Sequence, residues 1–483
     1  MSNLSDLLPT GGGQNAVDFV ASGTLGSGQT VVLNSDGTVS VVGISAQSLG
    51  TPVVFNAGSS NNPVAIFDSV AGKVVVAFKD NANSGYGTAV VGTVNGTSIT
   101  FGSEVVFENA NTNVEQSTFD GASGKVVVVY RDNGNSSYGT AIVGTVSGTS
   151  ISFGTPVVFE SSDMSGVSTT YDSAAGRVII TYSDVGNSNF GTAIVGTVSG
   201  TSISFGSPVI FNSGYTSFTA VTFDSVAGKV VVAFNDNANN NYGTAIVGTV
   251  SGTSISFGSE VVFESATSNY ISATFDSTAG KVVIAYADAG TAVNDKGTAI
   301  VGTVSGTSIS FGSPVIFSTG ITSQISLTFD SVGGQIIIAY KNNSNLGYGT
   351  LIVGTVNGTG ITFGSEVVFS STSVPLLSAT FDSVAGKVVV AYRDDGNSSY
   401  GTSVVFAPAA SNNTSFIGIT AEAIADTATG PVNVYGGINE AQSGLTIASN
   451  YYVQTDGSIA TTVSDVKIGQ AISATTINMM DLT

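Results

Sequence analysis

Loops rich in Asp and Asn are the first segments of this sequence whose side chains could do chemistry, because their oxygen atoms suit a Ca²⁺ ion. The loop that starts at Asp80 reads DNANSGYG, and related loops start at Asp132, Asp184, Asp236, Asp288, Asn342 and Asp394. The Asp-x-x-Asn spacing offers oxygen ligands, but the bidentate acid that completes a calcium loop is absent. Asp in such a loop also accepts hydrogen bonds from the backbone N–H groups that follow it. We therefore expect self-capping turns rather than calcium sites, and no cofactor.

Aromatic side chains near these loops could stack on the face of a sugar ring. Four of them follow the Asx-rich loops, namely Tyr86, Tyr138, Tyr242 and Tyr400. Three more lie in the segments that differ most between copies of the repeat described below, namely Tyr215, Phe218 and Tyr270. Packing at the edge of a structural unit is the alternative use of all of them. They are the candidate ligand-binding residues, with hydroxyl-rich molecules as the ligand class.

Catalysis is disfavoured by the residue types that the chain lacks. It contains no His and no Cys, which removes the commonest general base and any thiolate nucleophile. Glycoside hydrolysis needs two carboxylates in distinct environments, whereas the Glu residues recur in near-identical copies and are predicted to face solvent. These are Glu104, Glu108, Glu160, Glu260, Glu264 and Glu366. The prediction is that the protein is not an enzyme.

The composition limits the partners of the chain. Its net charge is −20, and its twelve Lys and Arg residues are scattered, so we expect no nucleic-acid binding. No apolar run approaches the length of a membrane span, so no membrane insertion is expected. The N-terminus, MSNLSDLLPTGGGQN, has no positive or apolar region of the kind found in export signals. Low charge with many aliphatic residues excludes a disordered chain.

Two markers divide the chain into seven copies of one unit. The first is an aromatic residue followed by Asp68, Asp120, Asp172, Asp224, Asp276, Asp330 and Asp382. The second is a Gly-Thr pair that begins at Gly87, Gly139, Gly191, Gly243, Gly297, Gly349 and Gly401. The steps are 52 residues, with one of 54, close to the period of a propeller blade. We expect the Asp to cap the turn that follows it and the aromatic ring to fill the space between copies.

Each copy reads as four short antiparallel strands, A to D, which predicts an all-β fold: a seven-bladed β-propeller of four-stranded blades. A parallel β-helix is the alternative, but its rungs are shorter. Because strands alternate in direction, the D-to-A and B-to-C connections share one side, here called the loop face. The A-to-B and C-to-D turns share the opposite side, here called the turn face. Sequence variation is concentrated on the loop face, which fits either a binding surface or drift in unconstrained loops.

The last copy lacks strand D, and the missing piece precedes the first copy. Residues 48–55 read SLGTPVVF and match SFGTPVVF at residues 152–159. We expect this N-terminal strand to close the ring and remove two open sheet edges. The predicted parts are an N-terminal tail (1–15), a β-hairpin segment (16–45), the propeller (46–410) and a small β-rich C-terminal domain (411–483). Asp-Gly turns in both end segments predict hairpins, and the two end segments are expected to pair with each other.

The opening LSDLLPTGGGQNAVDFVASGTL, the repeat GNSSYGTAIVGTVSGTSISFGTPVVF and the ending SGLTIASNYYVQTDGSIATT resemble virion structural and tail-fibre-like proteins of marine and cyanobacterial bacteriophages. The resemblance covers nearly the whole chain, and its motifs are architectural. It implies a fibre or surface appendage of a virion, assembled in the host cytoplasm and extracellular after lysis. The implied partners are other virion proteins, further copies in a homo-oligomer, and host-surface glycans, with residues 1–15 suited to docking into the particle. It brings no catalytic residues.

Two alternatives to the virion protein stay open. One is a non-viral, lectin-like carbohydrate-binding propeller. The other is a polysaccharide-degrading enzyme, which the missing acid/base pair disfavours.

Overall fold

The computed structural model of the protein describes residues 15–34, 36–290, 295–464 and 466–479. The predicted tail, residues 1–15, lies outside this range except for Asn15. The described chain is built from β-strands, and the predicted all-β class is confirmed. It divides into two compact units, a larger one of residues 48–408 and a smaller one of residues up to 47 and from 409. No helix in the described residues is long and apolar enough to cross a membrane.

The strands are numbered in chain order. The smaller unit begins with β1 Ala16–Val20, β2 Thr30–Leu33 and β3 Val39–Val41. The larger unit contains β4 Ser48–Leu49, β5 Val53–Asp68, β6 Lys73–Asp80, β7 Tyr86–Asn95, β8 Ser98–Phe101, β9 Val105–Asp120, β10 Lys125–Asp132, β11 Tyr138–Ser147, β12 Ser150–Phe153, β13 Val157–Glu160, β14 Met164–Asp172, β15 Arg177–Asp184, β16 Phe190–Ser199, β17 Ser202–Phe205, β18 Val209–Asp224, β19 Lys229–Asp236, β20 Tyr242–Ser251, β21 Ser254–Phe257, β22 Val261–Asp276, β23 Lys281–Asp288, β24 Lys296–Ser305, β25 Ser308–Phe311, β26 Val315–Asp330, β27 Gln335–Asn342, β28 Tyr348–Asn357, β29 Gly360–Phe363, β30 Val367–Ser373, β31 Leu377–Asp382, β32 Lys387–Asp394 and β33 Tyr400–Ala407. The smaller unit ends with β34 Phe416–Thr420, β35 Thr429–Val434, β36 Ile438–Asn439, β37 Asn450–Val453, β38 Ile459–Ala460, β39 Lys467–Ala471 and β40 Ile477–Asn478. Short 3₁₀ turns span Asn81–Asn83, Asn133–Asn135, Val185–Asn187, Asn237–Asn239, Asn343–Asn345 and Asn413–Ser415.

Long strands connect one repeat to the next. The first residues of β9 pair with β7 in the first repeat, and the rest of β9 pairs with β10 in the second. The strands β5, β18, β22 and β26 have the same length of 16 residues. The D-to-A connections, predicted as loops, are therefore continuous strand in most repeats. The prediction was wrong because their Gly, Asn and Ser residues are typical of loops, whereas the neighbouring strands supply pairing partners.

The marker Gly of each Gly-Thr pair is required by an aromatic ring. The Phe107 ring lies so close over Gly87 that a Cβ there would clash with it. Phe107 also packs on Tyr130 and Phe153, with ring centroids 5.4 and 5.3 Å apart. Phe107 and Gly87 lie in the first repeat, whereas Tyr130 and Phe153 lie in the second, so the Phe107 ring packs between successive repeats.

The aromatic-Asp marker forms the predicted turn. Asp68 accepts hydrogen bonds from the N–H groups of Val70 and Ala71 at 3.0 and 2.8 Å. The same pair of bonds forms at Asp120, Asp172, Asp224, Asp276, Asp330 and Asp382. The aromatic residue before the Asp is buried or half-buried, and Phe275 belongs to a core cluster that includes Val231 of the preceding repeat. The structural interpretation of this marker is confirmed.

The two ends of the larger unit are paired with each other. Strand β33 pairs with β4 and with the start of β5, in the registers Phe406↔Leu49 and Thr402↔Val54. Phe55 lies over Gly401 as Phe211 lies over Gly191. The segment before the first repeat therefore makes the contacts that β18 makes with β16.

Strands from both ends of the chain form the smaller unit. β1 pairs with β35, and β2 pairs with β34, in a sheet of order β1-β35-β34-β2-β3. A second sheet has the order β36-β40-β39-β37-β38. The Asp-Gly turns join β2 to β3 and β37 to β38, with Gly37 and Gly457 at φ 85° and 82°. These angles favour glycine, which has no Cβ to clash.

We predict that Phe55→Ala and Phe211→Ala destabilise the protein to the same extent. Phe55 is 6% exposed and Phe211 5%, and truncating a buried Phe typically costs about 3 to 5 kcal/mol. Chemical denaturation followed by far-UV circular dichroism, which does not depend on tryptophan, measures the free energy of unfolding of each variant. A loss at Phe55 that is well below the loss at Phe211 would show that the N-terminal segment does not complete the last repeat.

Candidate ligand-binding site

The Asx-rich loops of the loop face use their Asp side chains to hold their own backbone. Asp80 accepts hydrogen bonds from the N–H groups of Ala82 and Asn83 at 3.0 and 3.3 Å. The chain then turns through Ser84 at φ 59°. Comparable caps form at Asp132, Asp184, Asp236, Asp288, Asn342 and Asp394. The self-capping turns are confirmed, and no group of three acidic residues within the described ranges is placed to share a metal ion.

The candidate tyrosines of these loops lie apart from one another. Each is half-buried and begins the third strand of a different repeat: Tyr86 in β7, Tyr138 in β11, Tyr242 in β20 and Tyr400 in β33. Each is paired across the sheet with the residue that caps its loop, as Tyr86 is with Asp80. The structure therefore offers these four side chains singly, one to a repeat.

Phe218 and Tyr270, in contrast, are brought together. They occupy equivalent positions of neighbouring repeats, and their ring centroids are 5.2 Å apart with the planes at 51°. Phe218 also packs against the buried cluster between the same two repeats. This aromatic pair, Phe218 with Tyr270, is the one place on the loop face where the structure joins two of the predicted candidates in ring contact.

Both residues of the aromatic pair lie at a β-bulge where the backbone is left-handed, with φ 49° and 51°. The equivalent residues Asn62, Gly166 and Gln324 have similar angles, φ 47°, 55° and 52°. Asn and Gly adopt this conformation readily, whereas a bulky side chain adopts it at a cost of about 1 kcal/mol or more. Two aromatic rings at positions suited to Asn and Gly indicate a role beyond forming the bulge.

Polar side chains surround the aromatic pair. Asn269, next to Tyr270, donates its amide to the carboxylate of Asp295 at 3.3 Å. Ser217, next to Phe218, is hydrogen-bonded to the amide oxygen of Asn237 at 3.0 Å. Tyr215 precedes Phe218 on the same strand, is 47% exposed and is paired across the sheet with Phe190. Aromatic faces beside amide, carboxylate and hydroxyl groups can bind a ligand that has both apolar ring faces and hydroxyls.

A second feature, a central cavity of about 510 Å³, was not predicted from the sequence. It is lined by the innermost strand of each of the seven repeats. The edge of each of these strands that is not paired with the second strand of its repeat faces the cavity; the strands are β5, β9, β14, β18, β22, β26 and β31. Ser hydroxyls accept hydrogen bonds from the next inner strand, as Ser378 does from the Ala65 N–H at 3.1 Å. Ser168, Ser272 and Ser326 do the same. The recurrence of Ser at one repeat position was the signal that could have revealed this role.

Glu115 also lines the cavity and was missed. The equivalent residues of the other repeats carry no charge: Pro63, Val167, Thr219, Ile271, Ile325 and Leu377. Its side chain is 17% exposed, and its Oε1 lies 3.6 Å from Nε of Arg131. Burial, together with the nearby Asp163 carboxylate, raises the pKa of Glu115 to about 7, although Arg131 opposes the shift. A single acidic residue at an otherwise uncharged repeat position was the available signal.

Three of the six Glu residues predicted to face solvent do not. Glu108, Glu160 and Glu264 are half-buried, and each accepts a hydrogen bond of 3.0 Å from a Tyr hydroxyl. The donors are Tyr130, Tyr182 and Tyr286, whose pKa values are raised, mainly by burial. Glu104, Glu260 and Glu366 are exposed as predicted. The error arose because the tyrosine partner lies 22 residues away, beyond the reach of a local pattern.

No protein-family model matches the chain, and no curated protein matches it either. Among solved structures, the BP39L lectin from Burkholderia pseudomallei is similar, with a TM-score of 0.55 and 10% identity over 74% of this chain and 98% of that chain. The β-propeller domain of Myceliophteria thermophila Cps50 (Swd1) aligns with a TM-score of 0.49 and 6% identity over 75% of this chain and 99% of that one. The similarity to the lectin shows the fold: a β-propeller.

We predict that Tyr270→Asn changes the free energy of unfolding by less than about 1 kcal/mol. The lost contact between aromatic rings, about 0.5 to 1.5 kcal/mol, is offset by a residue that suits a positive φ. Phe234→Ala is the contrast, since Phe234 is fully buried and its truncation should cost about 3 to 5 kcal/mol. Denaturation midpoints of both variants provide the measurement. A loss at Tyr270→Asn as large as at Phe234→Ala would mean that the aromatic pair is a core element.

Proposed function

We propose that the chain is a seven-bladed β-propeller, closed by residues 48–55, that binds carbohydrate and has no catalytic activity. Seven inner strands around one cavity support the blade number. The pairing of β33 with β4 and β5 supports the closure. In each blade an aromatic ring lies over the marker glycine and packs on aromatic rings of the next blade, as Phe107 does on Tyr130, so the scaffold can present a variable loop face without moving.

The observation that carries the carbohydrate proposal is the aromatic pair. Its rings occupy backbone positions that favour Asn or Gly, and hydrogen-bonding side chains flank it at Asn269, Asp295 and Ser217. Tyr215 adds an exposed ring on the same strand as Phe218. Sugars present both C–H faces, which pack on aromatic rings, and hydroxyl groups, which pair with amides and carboxylates. That a lectin has a similar fold is consistent with this proposal.

We further propose that the protein is part of a bacteriophage virion, as a fibre or surface appendage. The support is the resemblance of its opening, repeat and ending to tail-fibre-like proteins. In that setting the loop face would contact host-surface glycans, and the partners would be other virion proteins and further copies of the chain. Several weak sites on one particle would then add up to firm adsorption.

Carbohydrate binding is tested with the double variant Phe218→Gly/Tyr270→Asn, which keeps the bulge and removes both rings. Binding of the purified chain to an array of neutral and acidic glycans, followed by calorimetry on the best ligand, should show a loss of at least about tenfold, or 1.4 kcal/mol. Lys229→Ala, at the start of β19 directly after the turn that follows Asp224, is the matched control and should bind like the unaltered chain. Binding that is absent from the unaltered chain, or unaffected in the double variant, would refute the proposal.

The absence of catalysis is tested on the same glycans. We expect no reducing ends to be released from any ligand of the array, with or without added divalent metal, because glycoside hydrolysis needs two carboxylates and the described hydrogen bonds place one, Asp295, beside the aromatic pair. Chromatography of the products after prolonged incubation is the measurement. Hydrolysis that disappears when a single carboxylate is replaced by its amide would contradict the proposal.

A further inference from the structure

The central cavity has one charged side chain in its lining. Among the described residues that line it, Glu115 alone is ionisable, and all others are aliphatic, hydroxyl-bearing or amide-bearing. The chain as a whole carries 44 charged side chains, 12 basic and 32 acidic. A single carboxylate in a lining otherwise free of charge is the arrangement of a ligand site with one charged anchor.

We propose that the central cavity is a second binding site, distinct from the aromatic pair, and that it takes an aliphatic amine as its ammonium ion, with Glu115 as the anionic partner. A volume of about 510 Å³ lies within the range of small-molecule sites.

The charges around Glu115 leave it available to such a ligand. Arg131 lies between two carboxylates, with its Nη1 3.2 Å from Asp163 and its Nε 3.6 Å from Glu115. The closer partner is Asp163, which is not among the residues that line the cavity. When both carboxylates are ionised, Arg131, Asp163 and Glu115 together carry one net negative charge. No hydrogen bond to Glu115 is formed within the described residues, so its carboxylate can accept N–H donors from a ligand. Lys79, the other cation nearby, is bonded to Asn111 and Asn113.

One level of the lining offers aliphatic side chains to the hydrocarbon part of the ligand, although the exposed surface of the lining as a whole is mainly polar. The residues equivalent to Glu115 in five of the other six repeats are Pro63, Val167, Ile271, Ile325 and Leu377. They place aliphatic groups at the same level of the cavity as the carboxylate. Burying an alkyl chain against such groups contributes about 0.8 kcal/mol per CH₂. An anion would meet repulsion from Glu115 and no cation in the lining.

The test compares three probes of equal chain length on the unaltered full chain: hexylammonium, 1-hexanol and hexanoate. Isothermal titration calorimetry should show hexylammonium binding once per chain and at least about tenfold more tightly than 1-hexanol, a difference of 1.4 kcal/mol. Hexanoate should not bind. Equal binding of the three probes, several hexylammonium ions per chain, or no binding of hexylammonium would overturn the proposal.

Variants locate the site. Glu115→Gln should remove the preference for hexylammonium over 1-hexanol. Glu104→Gln, which changes an exposed carboxylate directly before β9, should keep that preference. Tyr270→Asn should also keep it, which separates this site from the proposed glycan site. If Tyr270→Asn abolishes hexylammonium binding, the cation stacks on the aromatic pair and the cavity proposal is wrong. If Glu115→Gln fails to fold, the three-probe comparison still decides.

The pH dependence provides an independent readout. Because the pKa of Glu115 is about 7, its carboxylate is mostly protonated at pH 6 and mostly ionised at pH 8, while an alkylammonium stays charged at both. Affinity for hexylammonium should therefore rise by roughly tenfold between these pH values. A flat profile would contradict the role of Glu115.

Discussion

The pairing of strand edges is the constraint on which the larger unit depends. Each long strand is the outermost strand of one repeat at its start and the innermost strand of the next at its end, as β9 shows. Unpaired backbone groups are costly, so each repeat needs its neighbour to complete a sheet. The Phe ring over the marker glycine fixes the distance between them. Even the inner edges, which face the cavity, are partly satisfied by Ser hydroxyls from the preceding repeat.

The fold was predictable because its determinants are local and repeated. Asp68 and the turn after it, Gly87 and its ring partner, and the match between residues 48–55 and 152–159 all appear as fixed spacings in the sequence. The continuity of the long strands was not predictable, since segments such as NAGSSNNPVA contain residues typical of loops. The sheet on either side supplies pairing partners that no local pattern contains. Closeness between neighbouring repeats, such as that between Glu108 and Tyr130, depends on the same long-range geometry.

The candidate site was predicted in part for a related reason. A repeated scaffold makes its exceptions visible, and Phe218 and Tyr270 were noticed because they differ from the equivalent residues of other copies. Their mutual contact could not be inferred, because it requires that equivalent positions of adjacent repeats converge on the loop face. Glu115 differs equally from the equivalent residues of the other repeats, which carry no charge. Its position at a cavity becomes evident only from the arrangement of the inner strands.

The sharing of a strand between repeats also affects how such a gene can change. Residues 191–206 and 243–258 read identically, GTAIVGTVSGTSISFG. Unequal crossing-over between the two coding stretches would delete 52 residues, including Tyr215 and Phe218, yet β16 would continue into strands that fit it as well as the originals. The recombination point falls inside a blade, so every junction in the product is a native one. Copy number, and with it the set of side chains on the loop face, can therefore change in a single genetic event, without an intermediate that exposes a mismatched sheet.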